Sequence, residues 1–293
     1  MTIYLGILLA LACAFTTNLG FLYKHRGACA APAVHVSHPL RSARGLFRSR
    51  WFAIGMLVAV GAWALHVGAL ALAPMSVVQA VLAGGVVLLA VMAERIFGFR
   101  VGPRQWAGLG LTALGLVLLG VTLPHVHGAQ SQFSLPGMIA FEAGFVAFGA
   151  LLIMGKRIGA PDHHHGVMLG AAAGVLFGVS DVAIKAITGL VGDVGIFGAL
   201  LSPWTLVALA ASVAAFYASA KGLQEGEAVP VIALTGTAAN VAGILGGIIV
   251  FGDPLPGSAV GIVLQGVAFA LVVAAAALTP APVRAVAAPA AAH

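Results

Sequence analysis

The chain is 293 residues long and 61% hydrophobic, with 14 Lys and Arg, 8 Asp and Glu, and a formal net charge of +6. About a quarter of the residues in a soluble globular protein are charged. A share of 8% excludes a soluble domain, and the charges that remain fall between apolar stretches long enough to cross a bilayer. A basic balance can mark a nucleic-acid partner, but these basic residues sit between hydrophobic spans, where they act as orientation signals; no nucleic acid is expected. Cys13 and Cys29 supply neither a disulfide framework nor metal-ligand spacing, and nothing structural is expected to depend on them. Met1-Thr2-Ile3 lacks the positive segment of a cleavable signal, and Lys24 and Arg26 follow the first apolar run, so that run is expected to stay as a helix.

Runs of about 20 apolar residues occur nine times, over 2–23, 51–73, 75–97, 105–123, 136–155, 167–188, 200–220, 228–251 and 257–279. Backbone in hydrocarbon must satisfy its own hydrogen bonds, so each run is a helix and not a strand. The predicted fold class is all-α: a polytopic integral membrane protein of nine transmembrane helices in a single membrane domain, 1–293. An Ala/Pro-rich tail at 280–293 is expected to be disordered, because it cannot form a core.

Short cytoplasmic loops retain Lys and Arg, and the basic residues here are one-sided. Lys24, Arg26, Arg41, Arg44, Arg48 and Arg50 follow the first predicted helix, Arg95, Arg100 and Arg104 the third, Lys156 and Arg157 the fifth, Lys221 the seventh and Arg284 the ninth. Only Lys185 lies inside a helix. The predicted topology therefore has the N-terminus outside and the C-terminus inside.

Predicted helices 2–4 and 7–9 share a layout of a Trp-led helix (Trp51, Trp204), a polar or proline break, a Gly-rich helix, a second break and a Gly-spaced helix. Helices 1 and 6 each carry a small polar residue before a lysine (Asn18 and Lys24; Ser180 and Lys185). Two units of four emerge, a first repeat at 2–123 and a second at 167–279. The odd helix at 136–155 turns the second unit over, which is the inverted-repeat arrangement of secondary transporters with a substrate site at the repeat interface.

On these residues the chain resembles the drug/metabolite transporter superfamily, the EamA-like group, and within it the NIPA-type magnesium transporters. The resemblance rests on the basic loop into Trp51, on Ala69-Leu70-Ala71-Leu72-Ala73-Pro74-Met75-Ser76-Val77-Val78, and on Arg104-Gln105-Trp106-Ala107-Gly108. In the second half it rests on Gly178-Val179-Ser180-Asp181-Val182-Ala183-Ile184-Lys185-Ala186 and on Glu227-Ala228-Val229-Pro230-Val231. It implies a transporter; nine helices with the N-terminus outside is the NIPA-like pattern, where the wider superfamily has ten.

A charge at a helix centre costs roughly 2.5 to 3.5 kcal/mol on insertion scales, so each needs a partner or a purpose. Glu142, Asp181 and Lys185 qualify, joined by His66, Gln79, Asn240 and Gln265 as candidate lining of a substrate or ion pathway. Glu142, His66 and Asp181 each fall about five to eight residues from the outer end of their predicted helix, roughly 8 to 12 Å deep. The shared depth points to one outward-opening polar cavity. Gly170, Gly174 and Gly178 form small-xxx-small steps that allow close helix approach. The helix 2 stripe of Gly55, Ala59, Ala62, His66, Ala69 and Ala73 and the helix 8 stripe of Gly236, Asn240, Gly243 and Gly247 each carry one polar residue among small ones.

Structural readings stand beside these. Asp181 and Lys185, four apart, are also read as a pair that pins helix 6. Glu142 is also a protonated hydrogen-bond donor, His66 a satisfied core histidine, and Asn240, Gln79 and Gln265 interhelical hydrogen bonds. Glu94 and Arg95 are interface anchors. His163, His164 and His165 are read as a solvated hinge between repeats, and His125 and His127 carry no assignment beyond facing outward.

The function expected is transport of a small solute or cation across the cytoplasmic membrane by alternating access, with magnesium as one candidate and Glu142 and Asp181 as its acidic ligands. Magnesium prefers oxygen ligands and keeps several waters. The alternatives are a proton-coupled metabolite or drug exporter, with Glu142 as proton carrier, and a non-transporting membrane scaffold or sensor. No His-Glu-x-x-His, Gly-x-Ser-x-Gly or Walker motif is present, so the chain is not read as an enzyme. No resident cofactor is expected beyond a transported Mg²⁺ or a coupling proton. Partners are the lipid bilayer and the substrate, with the oligomeric state open and a homodimer among the options. A reporter fused after Pro282 is expected to be shielded from a membrane-impermeant reagent added outside intact cells; labelling there reverses the topology.

Overall fold

A computed structural model describes residues 2–35, 38–96, 103–122, 132–226 and 228–278. The tail at 280–293, Arg100, His125, His127 and Arg284 lie outside the described residues. The elements are α1 (Thr2–Cys29), α2 (Pro39–Phe47), α3 (Arg50–Leu72), α4 (Met75–Ala83), α5 (Gly85–Arg95), α6 (Pro103–Thr122), α7 (Leu135–Ile153), α8 (His165–Leu200), α9 (Pro203–Glu225), α10 (Ala228–Phe251) and α11 (Ala259–Leu278). Two 3₁₀ turns, Gly155–Ile158 and Asp162–His164, join α7 to α8. The protein is a multi-pass helical membrane protein: among the described residues there is no strand, and six helices, α1, α3, α7, α8, α9 and α10, are long and apolar enough to cross a membrane.

The nine predicted runs map onto these elements with three differences. The run at 75–97 is two helices, α4 and α5, that meet at Gly84, whose N–H bonds back to Val81 O in a tightened turn; Asn18 of α1 donates to Gly85 O at 2.8 Å on the far side of this break. The run at 167–188 continues to Leu200 as α8, with a kink at Gly195, where φ is 73° and glycine's missing Cβ removes the steric cost. The stretch after the first run contains α2, whose register buries Ser42 and Leu46 and exposes Arg41 and Arg44. Its low apolar content hides it from a search for spans.

α1 packs along α3, α8 along α9 and α10, α10 against α4, and α11 against α6, while α7 lies on α8 and α10. In lipid, hydrocarbon gains nothing by leaving one apolar neighbour for another, so association depends on close fit and interhelical hydrogen bonds. Glycines provide the fit. A Cβ on Gly174 would meet Thr235 O at 2.2 Å, one on Gly178 the Ala242 Cβ at 2.3 Å, and one on Gly170 Val231 O at 2.9 Å, so the predicted α8 stripe is the face that seats α10. Thr235 closes the contact by donating to Gly170 O at 2.9 Å or Val231 O at 2.7 Å. On the other side, Gly55 of α3 lies against Gly20 O and the Lys24 backbone of α1.

Ser134 starts α7, accepting from Gly137 N–H and donating its own N–H to Val250 O at 2.9 Å. At the opposite end, Glu225 closes α9 among His165, Lys156 and Lys221, and Lys156 also faces Asp162 at 3.4 Å. His165 is therefore buried and paired, not part of a solvated hinge. Gln224 binds the segment before α2, donating to Pro32 O at 3.0 Å and accepting from Val34 N–H at 2.8 Å. Gly174→Ala is expected to cost about 1 to 3 kcal/mol, read as a lower midpoint in thermal unfolding of the purified protein, because the neighbour it strikes is backbone. Gly144→Ala, which faces open space, should leave the midpoint near that of the parent.

Candidate functional site

Asp181 is set on α8 three residues beyond Gly178, on the face that the glycine stripe brings against the rest of the bundle. Its Oδ1 lies 3.0 Å from His66 Nε2 of α3, and its Oδ2 accepts from Gln79 Nε2 of α4 at 3.0 Å. Three separate elements thus converge on one carboxylate. The aspartate does not pair with Lys185. Lys185 is fully buried one turn on and donates to Leu70 O at 2.6 Å and Ala73 O at 3.1 Å, where α3 ends. Those carbonyls lack intrahelical donors because the helix stops and Pro74 carries no N–H, so a buried ammonium suits them. Asp253, beyond α10, also acts electrostatically on Lys185.

The Asp181 cluster lines a cavity of about 210 Å³. On α1 it runs from Cys13 and Thr17 through Phe21 to Lys24, about 16 Å at 1.5 Å per residue. It includes Ala59 to His66 of α3, Gln79 to Leu89 of α4 and α5, and Ile232 to Asn240 of α10. On every helix the lining extends toward the end that carries Lys24, Arg50, Arg95 and Lys221. The opening expected from the sequence lies at the other end of the helices; the lining runs from Asp181 toward this basic end. At the opposite end, Ala69, Leu70, Ala73, Val182, Ala183 and Phe251 pack into one core around Lys185, and small side chains there let the helices meet without a gap.

Of the residues singled out from the sequence, His66, Gln79, Asp181 and Asn240 share this cavity. Lys185 lies beyond its floor. Glu142 lines neither this cavity nor a second, larger one between α3, α8 and α9. It is buried on α7, and neither carboxyl oxygen has a hydrogen-bond partner among the described residues. Gln265 is buried on α11, the helix that packs on α6, and lines neither cavity. Among the described residues no three His, Cys, Asp or Glu side chains meet as a closed metal centre.

Sequence reasoning passed over Cys13, Thr17, Asn18 and Lys24. With Phe21, the spacing of Cys13, Thr17 and Lys24 was a readable helical stripe, obscured because the first helix was treated as an orientation anchor. Gly243 is another: a Cβ there would meet Cγ, Cδ and Nε2 of Gln79 at 2.5, 2.6 and 2.7 Å, so this glycine holds open the slot in which Gln79 reaches Asp181.

The fold and this site define a class: a polytopic helical membrane protein with a buried polar cavity built by several helices. No family model matches the chain and no solved structure is similar to it. It is 25% identical over 267 residues to the probable magnesium transporter NIPA9 of Arabidopsis thaliana, covering 86% of this chain and 75% of that one. It is also 30% identical over 203 residues to the uncharacterized protein Cgl0250/cg0304 of Corynebacterium glutamicum, covering 68% of each chain. The chain belongs to one family with the corynebacterial protein, and its homology to the Arabidopsis protein supports a NIPA-like transporter.

The packing of Gln79 on Gly243 gives a double-mutant test. Gly243→Ala is expected to destabilise the parent protein but to cost less in a Gln79→Ala background, with a coupling of roughly 0.5 to 3 kcal/mol in thermal or denaturant unfolding. Additive effects would mean that the two residues do not touch.

Proposed function

We propose that the protein is a transporter of the cytoplasmic membrane that moves a hydrated divalent cation, magnesium by preference, through the cavity at Asp181 by alternating access of two inverted repeats. The observation that carries this reading is the meeting of α3, α4 and α8 at one half-buried carboxylate, Asp181. An ionised Asp181 supplies negative charge in a low-dielectric site, where it attracts a cation far more strongly than in water. The cavity, of about 210 Å³, has room for several waters beside a small ion. The amide oxygens of Gln79, Asn240 and Asn18 are suited to binding those waters, in keeping with the reluctance of magnesium to dehydrate.

The repeat reading draws support from helix pairing. α1 lies on α3 as α8 lies on α9, and contacts between the halves run through α4 with α10 and α6 with α11. The broken α4–α5 helix at the cavity matches the discontinuous helices from which transporter sites are built. Nine crossings result if α4–α5, α6 and α11 span as well, and the one-sided basic residues then put the Lys24 end of the cavity toward the cytoplasm. Glu142, buried without a hydrogen-bond partner among the described residues and outside the cavity, favours a second reading, in which a proton bound there drives export of a metabolite or drug-like molecule.

Uptake of Mg²⁺ by proteoliposomes tests the proposal. Asp181→Asn should lower initial uptake about tenfold or more, the scale on which loss of a metal-site partner acts, whereas Glu142→Gln should leave uptake in place. Efflux that depends on a proton gradient and is lost in Glu142→Gln, without Mg²⁺ uptake by the parent protein, would establish the exporter instead.

A further inference from the structure

A second, larger cavity of about 590 Å³ lies beside the polar one, between α3, α8 and α9. Sites that enclose a ligand run from about 300 to 1,000 Å³. Its walls are mostly apolar, with Met56, Ile184 and Ala208 among them, and Ser180 and Ser212 bond to each other at 2.8 Å. On its rim Val60, Trp63 and Leu209 are each more than half exposed on a surface that faces lipid, so the cavity is entered sideways from hydrocarbon.

The chemistry of the occupant follows from the basic residues at one end. Lys24 lines both cavities, and its ammonium lies 3.7 Å from the centre of the Phe21 ring. Among the described residues no carboxylate pairs with it. A ring face contributes to holding a cation but leaves its charge uncompensated.

α2 bridges the same end. Phe47 packs on Phe52 at 5.6 Å and on Phe216 at 6.5 Å, both of which line the cavity, and Tyr217 of α9 donates to Pro39 O at 3.0 Å. Arg41, Arg44 and Arg48 are exposed there, again with no carboxylate partner among the described residues. A helix that buries one side and shows arginines on the other lies in the plane of the membrane interface, and anionic headgroups favour such basic residues by about fivefold each.

We propose that this lateral cavity binds one anionic phospholipid, its acyl chain between α3 and α9 and its phosphate between Lys24 and the arginines of α2. This site goes beyond the transport reading and stands whether or not Asp181 carries a cation. A soluble anion does not match the apolar walls, and a zwitterionic lipid leaves the basic cluster without net neutralisation.

Native mass spectrometry of the full chain, released from bilayers of equal phosphatidylglycerol and phosphatidylcholine, tests the proposal. One phosphatidylglycerol should be retained in preference by about fivefold or more. Lys24→Gln, and separately the exposed triple change Arg41→Gln, Arg44→Gln and Arg48→Gln, should each reduce that preference about fivefold or more. Equal retention of the two lipids by the parent chain overturns the proposal, as does a preference unchanged in the arginine triple variant, whose positions lie outside the packed core. Acyl-chain placement is read separately: brominated chains should quench the tryptophan fluorescence that Trp63→Phe removes, and absence of that quenching overturns the lateral site.

Discussion

The arrangement rests on two opposite charges that stand one turn apart on α8 and do not pair with each other. In an exposed helix Asp181 and Lys185 would form a weak pair worth a few tenths of a kcal/mol. Inside the bundle each is held by the other half of the chain, Asp181 by His66 and Gln79, and Lys185 by the carbonyls of Leu70 and Ala73. An ionisable group left unpartnered in hydrocarbon costs several kcal/mol. The α3–α4 junction is therefore held at one place along α8, and the polar cavity and its floor are positioned by the same few contacts.

Such contacts would be useless at ordinary helix separations. Gly170, Gly174 and Gly178 bring the α8 and α10 backbones together, and Gly243 brings α10 against Gln79. Small residues and polar partners act jointly here: the glycines shorten the distance and the hydrogen bonds select the register. This accounts for polar residues that occur singly within small-residue stripes, since one interhelical bond per stripe sets the axial position and further ones would add burial cost.

Much of this was legible in the sequence because hydrocarbon imposes simple rules. Span lengths, the glycine stripe of α8, and the depth shared by His66 and Asp181 follow from bilayer thickness and helical period. What was not legible depends on rotation about helix axes and on competition between partners. Glu142 and Asp181 fall at one predicted depth, yet Glu142 does not line the cavity, a matter of facing that a single helix with apolar residues all round does not encode. The alternative partners of Lys185 are backbone carbonyls, and no side-chain pattern announces those. α2 was invisible because a search for 20-residue runs passes over a nine-residue interfacial helix, and the break lies at the Gly84-Gly85 pair, where Asn18 from another helix bonds Gly85 O.

Lys24 and Lys185 make the contrast between the two ends of the bundle explicit. Both are lysines in membrane helices, and for both the chain must offset the loss of water. Lys185 meets the end of α3, where terminal carbonyls carry the negative pole of the helix and Pro74 has removed a competing donor, so protein groups alone satisfy it. Lys24 lies along the side of α1, where neighbouring backbone groups are already used within their helices, and among the described residues it meets an aromatic face and no carboxylate. A helix end can supply the missing electron density to one lysine; the wall of a helix cannot supply it to the other. The chain places Lys24 where two cavities meet, at the end of the bundle that carries the α2 arginines, and among the described residues none of these has a carboxylate partner; the proposed lipid phosphate supplies the negative charge that the described protein groups do not.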